Sequence, residues 1–398
     1  MRYLMPLLAA AASVLSTAPA YADLGDQLAK LLPDDGAADD FFGLSVAISG
    51  TTAIVGVPQI FSHGNGSAYL FDTTTGRQIA KLLPDDGAAE DRFGRSVAIN
   101  GATAIVGAYR DDDGDSDSGS AYLFDTTTGV QIDKLLPDDG AQDDGFGFSV
   151  AISGATVIVG APWDDDNGNS SGSAYFFDTA TGAQIFKLLA LDGAAGDEFG
   201  ISVAISGATA IVGAWLDDDN GDLSGSAYLF DSTTGRQIAK LLPDDGAAGD
   251  EFGISVAISG ATTIVGARWV DDNGDFSGSA YLLDSTTGRQ IVKLLPDDGA
   301  AIDEFGISVA ISGATAIVGA YLDDDNGTNS GSAYLFDAAV PGKCPWDLDA
   351  GGNVGILDLL ALLAAWGSDP GGPPDFDGDG TVGILDLLTL LANWGPCP

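Results

Sequence analysis

The stretch Phe199-Gly-Ile-Ser-Val-Ala-Ile-Ser-Gly-Ala-Thr-Ala-Ile-Val-Gly-Ala214 decides the fold. Its first half alternates apolar and small residues as far as Ile205. It turns at Ser206-Gly207-Ala208 and resumes as the short apolar run Ala210–Gly213. This is the pattern of two strands joined by a tight turn, with no helical period competing. Moving outward, an acidic loop at 217–222 leads to a third run, Ala227-Tyr-Leu-Phe230. The turn Thr233-Thr234-Gly235 follows, then a fourth run from Gln237 to Leu242, which Pro243-Asp244-Asp245-Gly246 stops.

The unit recurs. The glycine of Phe-Gly stands at Gly43, Gly94, Gly147, Gly200, Gly253 and Gly306, at steps of 51 and then four times 53 residues. A fixed period near 50 with four short strands per unit is the make-up of propeller blades, and each blade needs its neighbours to bury its faces. A β-solenoid is the alternative, but its coils are usually shorter than this unit. The expectation is an all-β, six-bladed β-propeller of four-stranded blades. Counted from Phe-Gly, the sixth unit lacks a fourth strand, while Lys30-Leu31-Leu32 repeats the fourth-strand signature ahead of the first unit. Gln27–Leu32 is therefore expected to pair with the sixth blade and close the ring without an open edge.

Phe-Gly-x-Ser-Val-Ala-Ile-Ser followed by Ile-Val-Gly-Ala resembles the FG-GAP repeat of integrin α-subunits and many bacterial exported proteins, over residues 24–337. The resemblance implies a propeller serving as a binding or adhesion platform. Integrin-type repeats carry a calcium loop between the first two strands; here that turn is only Ser-Gly-Ala-Thr, so blade calcium does not carry over. The acids lie instead between the second and third strands: Asp111–Asp113 with Asp115, Asp164–Asp166, Asp217–Asp219, Asp271-Asp272 and Asp323–Asp325. Such loops suit either a divalent cation or a solvated turn. The first copy, Phe61-Ser-His63-Gly-Asn65, carries no acid.

The chain has 398 residues and a net charge of -43, with glutamate only at Glu90, Glu198, Glu251 and Glu304. That field repels nucleic acid and anionic surfaces. Residues 1–22 read as a signal peptide: Arg2, the apolar stretch Leu4–Leu15 and the small-x-small site Ala20-Tyr21-Ala22. That stretch is too short to span a membrane. No later apolar run without charge is long enough either, so no transmembrane segment is expected and the chain reads as secreted or held at the cell surface. Residues 23–339 form the propeller and 340–398 a separate module. Cys344 and Cys397 flank that module, and in an exported protein a disulfide between them is the default.

Within the module, Asp375-Phe-Asp377-Gly-Asp379-Gly-Thr381 to Asp386 places oxygens at loop positions 1, 3, 5 and 12, glycine at 6 and a backbone carbonyl at 7. That is calcium-loop spacing. The first copy offers Asp347, Asp349, Asn353 and Asp358 but has Gly351 at position 5, so it is expected to bind calcium more weakly. Two such loops, each followed by one helix, resemble a dockerin domain, an EF-hand-like module. The resemblance implies calcium-dependent attachment to a cohesin-like or cell-surface partner, through loop positions 10 and 11: Ile356-Leu357 and Ile384-Leu385. It also implies, as the alternative function, a carbohydrate-active component with polysaccharide as partner, either a lectin-like propeller or a glycoside hydrolase of polysaccharide catabolism assembled through the dockerin-like module.

Catalytic signals are weak. His63 has no partner cluster, and Glu198, Glu251 and Glu304 recur equivalently, whereas a glycosidase needs two unlike carboxylates. Trp163, Trp215 and Trp269 start the blade loops, exposed for sugar stacking or packed in the core. The reading is a non-enzymatic binding protein.

Overall fold

The computed structural model describes residues 29–59, 64–325, 327–338, 348, 353–367, 374, 376, 381–392 and 394–396. The repeat folds as a six-bladed β-propeller. In blade four, strands Ser202–Ser206, Thr209–Ala214, Ser226–Asp231 and Gln237–Leu241 form an antiparallel meander, with Val203 opposite Val212 and Val212 opposite Tyr228. The last turn is set by Asp231, whose carboxylate accepts the Thr233 and Thr234 N–H groups at 2.8 and 3.0 Å, an Asx turn.

The second strand is apolar almost throughout because each blade is sandwiched between two others. Side chains alternate across a strand. Ala210, Val212 and Ala214 accordingly pack on Ile158, Phe176 and Leu188 of blade three, while Ile211 packs with Phe252 and Val256 of blade five. Phe199 wedges edge-on against Tyr228 and Phe230, ring centres 5.4 and 5.7 Å apart.

The two glycines of the motif answer to the same contact. Glu198 O accepts the Ile201 N–H at 3.2 Å, closing a turn with Gly200 at its third position and φ of 100°; a type II turn needs glycine there. Gly213 has an ordinary φ, but a Cβ on it would lie 2.0 Å from Gly253 O of the next blade. The Phe-Gly turns of blades two to six thus seat on the second-strand glycine of the blade before, with no room for a methyl. Inner-strand serines add a stitch: Ser202 Oγ donates to Gly253 O at 2.8 Å, and Ser96, Ser149 and Ser255 do the same to their own next blades.

Of the closing segment expected at Gln27–Leu32, residues 27 and 28 lie outside the described residues, and the described remainder pairs with no strand of the sixth blade. Five blades have four strands; the sixth has three, Ser308–Ser312, Thr315–Ala320 and Ser332–Asp337. Ala29–Leu32 carry no strand. Leu31 packs instead on Val55, Val57, Tyr69 and Phe71 of blade one, and Asp34 N–H donates to Gln78. Other fourth-strand ends contact the next blade in the same way, as Asp85 N–H does with Gln131. The segment therefore keeps its forward contact and lacks the backward one. The matching surfaces of the first and last blades are exposed: Val46 and Ile48 on one, Ile317 and Leu335 on the other.

The C-terminal residues form a small helical unit with its own core. Helices α1 (Ile356–Ala364) and α2 (Ile384–Ala392) meet over Val354, Leu362, Val382 and Leu390, and Asn353-Val354 pairs with Gly395-Pro396. Val354 and Val382, and Leu362 and Leu390, occupy equivalent places in the two sequence copies.

Candidate functional site

The blades share their strands but differ around one mouth of the central channel. The residue before Phe-Gly is Phe41, Arg92, Gly145, Glu198, Glu251 or Glu304; the residue after it is Leu44, Arg95, Phe148, Ile201, Ile254 or Ile307. After the second strand come Pro58, Tyr109, Pro162, Trp215, Arg268 and Tyr321. A cavity of about 520 Å³ opens there, lined by Arg95, Phe148, Trp215 and Arg268 together with inner-strand residues of all six blades.

The position before Phe-Gly is left-handed in every blade, with φ of 58, 62, 68, 51, 54 and 51° from Phe41 to Glu304. Five of the six are not glycine. Each such residue costs on the order of 1–3 kcal/mol, and this kind of strain gathers at binding and catalytic positions. The turn carbonyl bond described above holds it in every copy, as in Arg92 O to Arg95 N at 3.0 Å.

The side chains so presented are linked. Trp215 Nε1 donates to Glu198 at 2.8 Å, and Arg268 Nε donates to Glu251 at 2.6 Å. The Arg268 guanidinium lies 5.1 Å from the Trp215 ring centre and 4.8 Å from that of Trp269, a favourable cation–π arrangement. Burial raises the pKa values of Glu198 and Glu251, against the pull of their hydrogen bonds to Trp215 and Arg268. Glu304 stays 4.0 Å from Arg268. The three glutamates thus recur at equivalent positions, as expected, but with unlike partners. The three tryptophans are half-buried rather than exposed or core.

Next to this group, with Trp163 also hydrogen-bonded to Glu198, Tyr109, Phe148 and Trp163 form an edge-on triad with ring centres 5.4–5.8 Å apart. The Arg95 guanidinium sits 4.4 Å from the Phe148 ring centre. Burial lowers its pKa, and among the described residues it has no ion pair to a carboxylate.

The acidic blade loops are only partly solvated turns. In blades two, three, four and six the first acid is buried, as at Asp164, which accepts the Tyr175 hydroxyl at 2.9 Å and the Lys187 ammonium at 2.9 Å, while Asp271 of blade five is exposed. Lys187 also reaches Asp139 and Asp166, both at 2.7 Å. Burial pushes the Asp164 pKa up, but Lys187 and the Asp166 N–H outweigh it and hold the carboxyl below its usual range. Lys134 and Lys240 repeat the arrangement. The positive charge in these loops comes from the fourth strand of the same blade, a feature of the Lys-Leu-Leu motif that strand reading alone passes over. Asp323 of blade six accepts the Tyr334 hydroxyl at 2.7 Å, with no lysine among the described residues.

In the C-terminal unit, Asp358 accepts the Leu348 and Gly355 N–H groups at 2.5 and 2.7 Å, and Asp386 accepts those of Phe376 and Gly383 at 2.6 and 2.7 Å. Each position-12 acid thereby ties loop positions 2 and 9 together. Thr381 is exposed and Asn353 lies in the short strand pair. Ile356 and Leu357 are 61% and 59% exposed, Ile384 and Leu385 59% and 56%. Asp347, Asp349, Asp375, Asp377, Asp379, Cys344, Cys397 and His63 lie outside the described residues. Among the described residues no three His, Cys, Asp or Glu side chains converge as a metal site, and no helix is long and apolar enough to cross a membrane.

The fold and its mouth define a repeat-built propeller of the ligand-platform kind. The chain belongs to the FG-GAP repeat family: the family model matches six times, at residues 26–71, 77–124, 130–177, 183–230, 236–283 and 289–336. No curated protein matches the chain. Among solved structures, a crystal structure of the computationally designed Ika8 protein is similar at 16% identity, covering 75% of this chain and 84% of that chain, with a TM-score of 0.44.

Proposed function

We propose that this is a non-catalytic exported binding or adhesion protein, whose propeller presents the channel mouth to a ligand and whose C-terminal unit attaches it to a cohesin-like or cell-surface partner. The observation that carries the attachment is the pairing of exposed residues. Ile356-Leu357 and Ile384-Leu385 stand at equivalent loop positions with nearly equal exposure, so the unit offers the same apolar patch twice. Exposed apolar patches of this kind mark interaction sites.

Calcium would be held by Asp347, Asp349, Asn353 and Asp358 in the first loop. In the second it would be held by Asp375, Asp377, Asp379, the Thr381 carbonyl and Asp386. All are oxygen donors of the type calcium prefers. The buried, loop-closing positions of Asp358 and Asp386 fit that role, and a Cys344–Cys397 bridge would clasp the ends. Calcium titration of the full chain by calorimetry tests this. Two unequal sites are expected, the tighter weakened by Asp379→Ala and the weaker strengthened by Gly351→Asp. Equal sites, or no calcium heat, would refute the loop assignment. Failure of a cohesin column to retain the calcium-loaded chain would refute the partner alone. The half-buried Trp215 at the mouth favours a lectin-like propeller as the second reading.

A further inference from the structure

We infer that the channel mouth binds a hexuronate, a sugar residue bearing a carboxylate, and that Arg95 is its anion-binding group. The inference rests on the platform reading above and assigns the ligand class of that same mouth.

The argument starts from charge. A chain of net charge -43 has only 15 basic residues. Lys134, Lys187, Lys240, Lys293 and Arg268 are held by neighbouring carboxylates. Arg95 is placed differently: a desolvated guanidinium against the face of Phe148, lining a cavity, with no carboxylate paired to it among the described residues. An uncompensated charge withdrawn from water is destabilising. The other five blades carry Leu44, Phe148, Ile201, Ile254 and Ile307 at this position, so the turn has no need of a cation. Departures from local consistency of this sort belong to functional sites.

The cavity also specifies the rest of the ligand. Its walls are apolar at Ile254, Phe148 and Trp215, which suits the C–H face of a pyranose. The serine hydroxyls that line it already donate to the next blade, so toward a ligand they act as acceptors for sugar hydroxyls. Arg95 takes the carboxylate in a planar fork. An extended polyanion is repelled by the overall field, so the occupant is a single residue or a chain end.

The test is calorimetric titration of the full-length protein with tetragalacturonate and with neutral cellotetraose, on the native chain and on Arg95→Leu. Leucine stands at this position in blade one, so the variant is expected to fold. The expected result has three parts: tetragalacturonate binds at least tenfold more tightly than cellotetraose, Arg95→Leu loses at least tenfold in that affinity, and the same variant melts at a higher temperature because a half-buried charge without a carboxylate partner is gone. The rise in melting temperature separates a ligand-directed arginine from a structural one. Arg95→Lys is expected to retain part of the binding. Equal binding of both tetramers overturns the hexuronate assignment while leaving the platform standing. Lower stability of Arg95→Leu with undiminished tetragalacturonate binding also overturns it, as does the absence of tetragalacturonate binding.

Discussion

Replacing Lys187 by methionine tests how the acidic loops are held. The ammonium has three carboxylate partners within 2.9 Å, and one of them, Asp164, has a side chain only 4% exposed. Lys81 occupies the same place in blade one, but that blade has no acidic loop. Its single partner is Asp35 at 2.6 Å, and the two side chains are 33% and 52% exposed. Removing one member of a buried pair strands the other and costs about 3–5 kcal/mol, whereas an exposed pair is worth about 0–1 kcal/mol. Asp164 keeps the Tyr175 hydroxyl and the Asp166 N–H, which places Lys187→Met near the lower end, about 3 kcal/mol. For a domain of this class that corresponds to a drop of roughly 6–12 °C in melting temperature, against little change for Lys81→Met. Urea unfolding and calorimetric melting of both variants provide the comparison. Adding Asp164→Asn to Lys187→Met is expected to recover a large part of the loss, since the stranded charge goes. Equal losses at the two lysines, or no recovery in the double variant, would refute the reasoning. So would a propeller transition that falls on chelation in the native protein, because the loop cation would then be a metal rather than lysine.

Gly213→Ala, which drives a methyl toward Gly253 O, is expected to cost about 3 kcal/mol in urea unfolding. Gly207→Ala is the control: its site is open but left-handed, with φ of 57°, and the expected cost is about 1–2 kcal/mol; the reverse order would overturn the close-packing account. Stability is also expected to rise as pH falls from 7.5 to about 5. Burial lifts the folded pKa values of Asp91 and Asp144 to about 6 from 3.8, so the protonated form is favoured by folding and the stability it adds is lost as pH climbs through 6. Below about 3.8 the sign reverses, because Asp164 and Asp217 are depressed in the fold and lose their contribution once protonated. A melting-temperature profile from pH 8 to 3 without a rise at intermediate pH, or one unchanged by Asp91→Asn with Asp144→Asn, would contradict this.

The blades were legible because each strand must satisfy two neighbours at once. Ile211 and Val212 point to opposite blades, which forces the near-continuous apolar run that reads as a buried strand. The Phe-Gly and Gly-Ala glycines were legible as punctuation, but their joint role as one contact arises only when successive blades pack. The Lys30-Leu31-Leu32 signature specifies a forward contact, and Leu31 makes it with blade one, yet a signature carries no information on whether the last blade reaches back. The acidic loops were read without their lysine because Lys187 lies 21 residues beyond Asp166 in sequence; only the meander brings the fourth strand back beside the second.

The channel mouth was the least legible feature, and the reason lies in how it is built. Its variable positions flank an invariant turn whose geometry is held by backbone groups: the carbonyl of Glu198 to the N–H of Ile201, the left-handed φ at both Glu198 and Gly200, and the seat of Gly200 on the blade before. None of these contacts uses the side chain of Glu198 or Ile201. The same turn therefore accepts Arg92 and Arg95 in blade two, Gly145 and Phe148 in blade three, and Glu251 and Ile254 in blade five. A repeat search averages such positions away as noise around Phe-Gly. In the ring Arg95, Phe148, Ile201, Ile254 and Ile307 converge on one cavity, and an array of near-identical blades acquires an asymmetric face there. The position after Phe-Gly, which faces the cavity in five blades, is thus also one whose side chain the turn does not use, which is the physical condition for varying a ligand site without disturbing its scaffold.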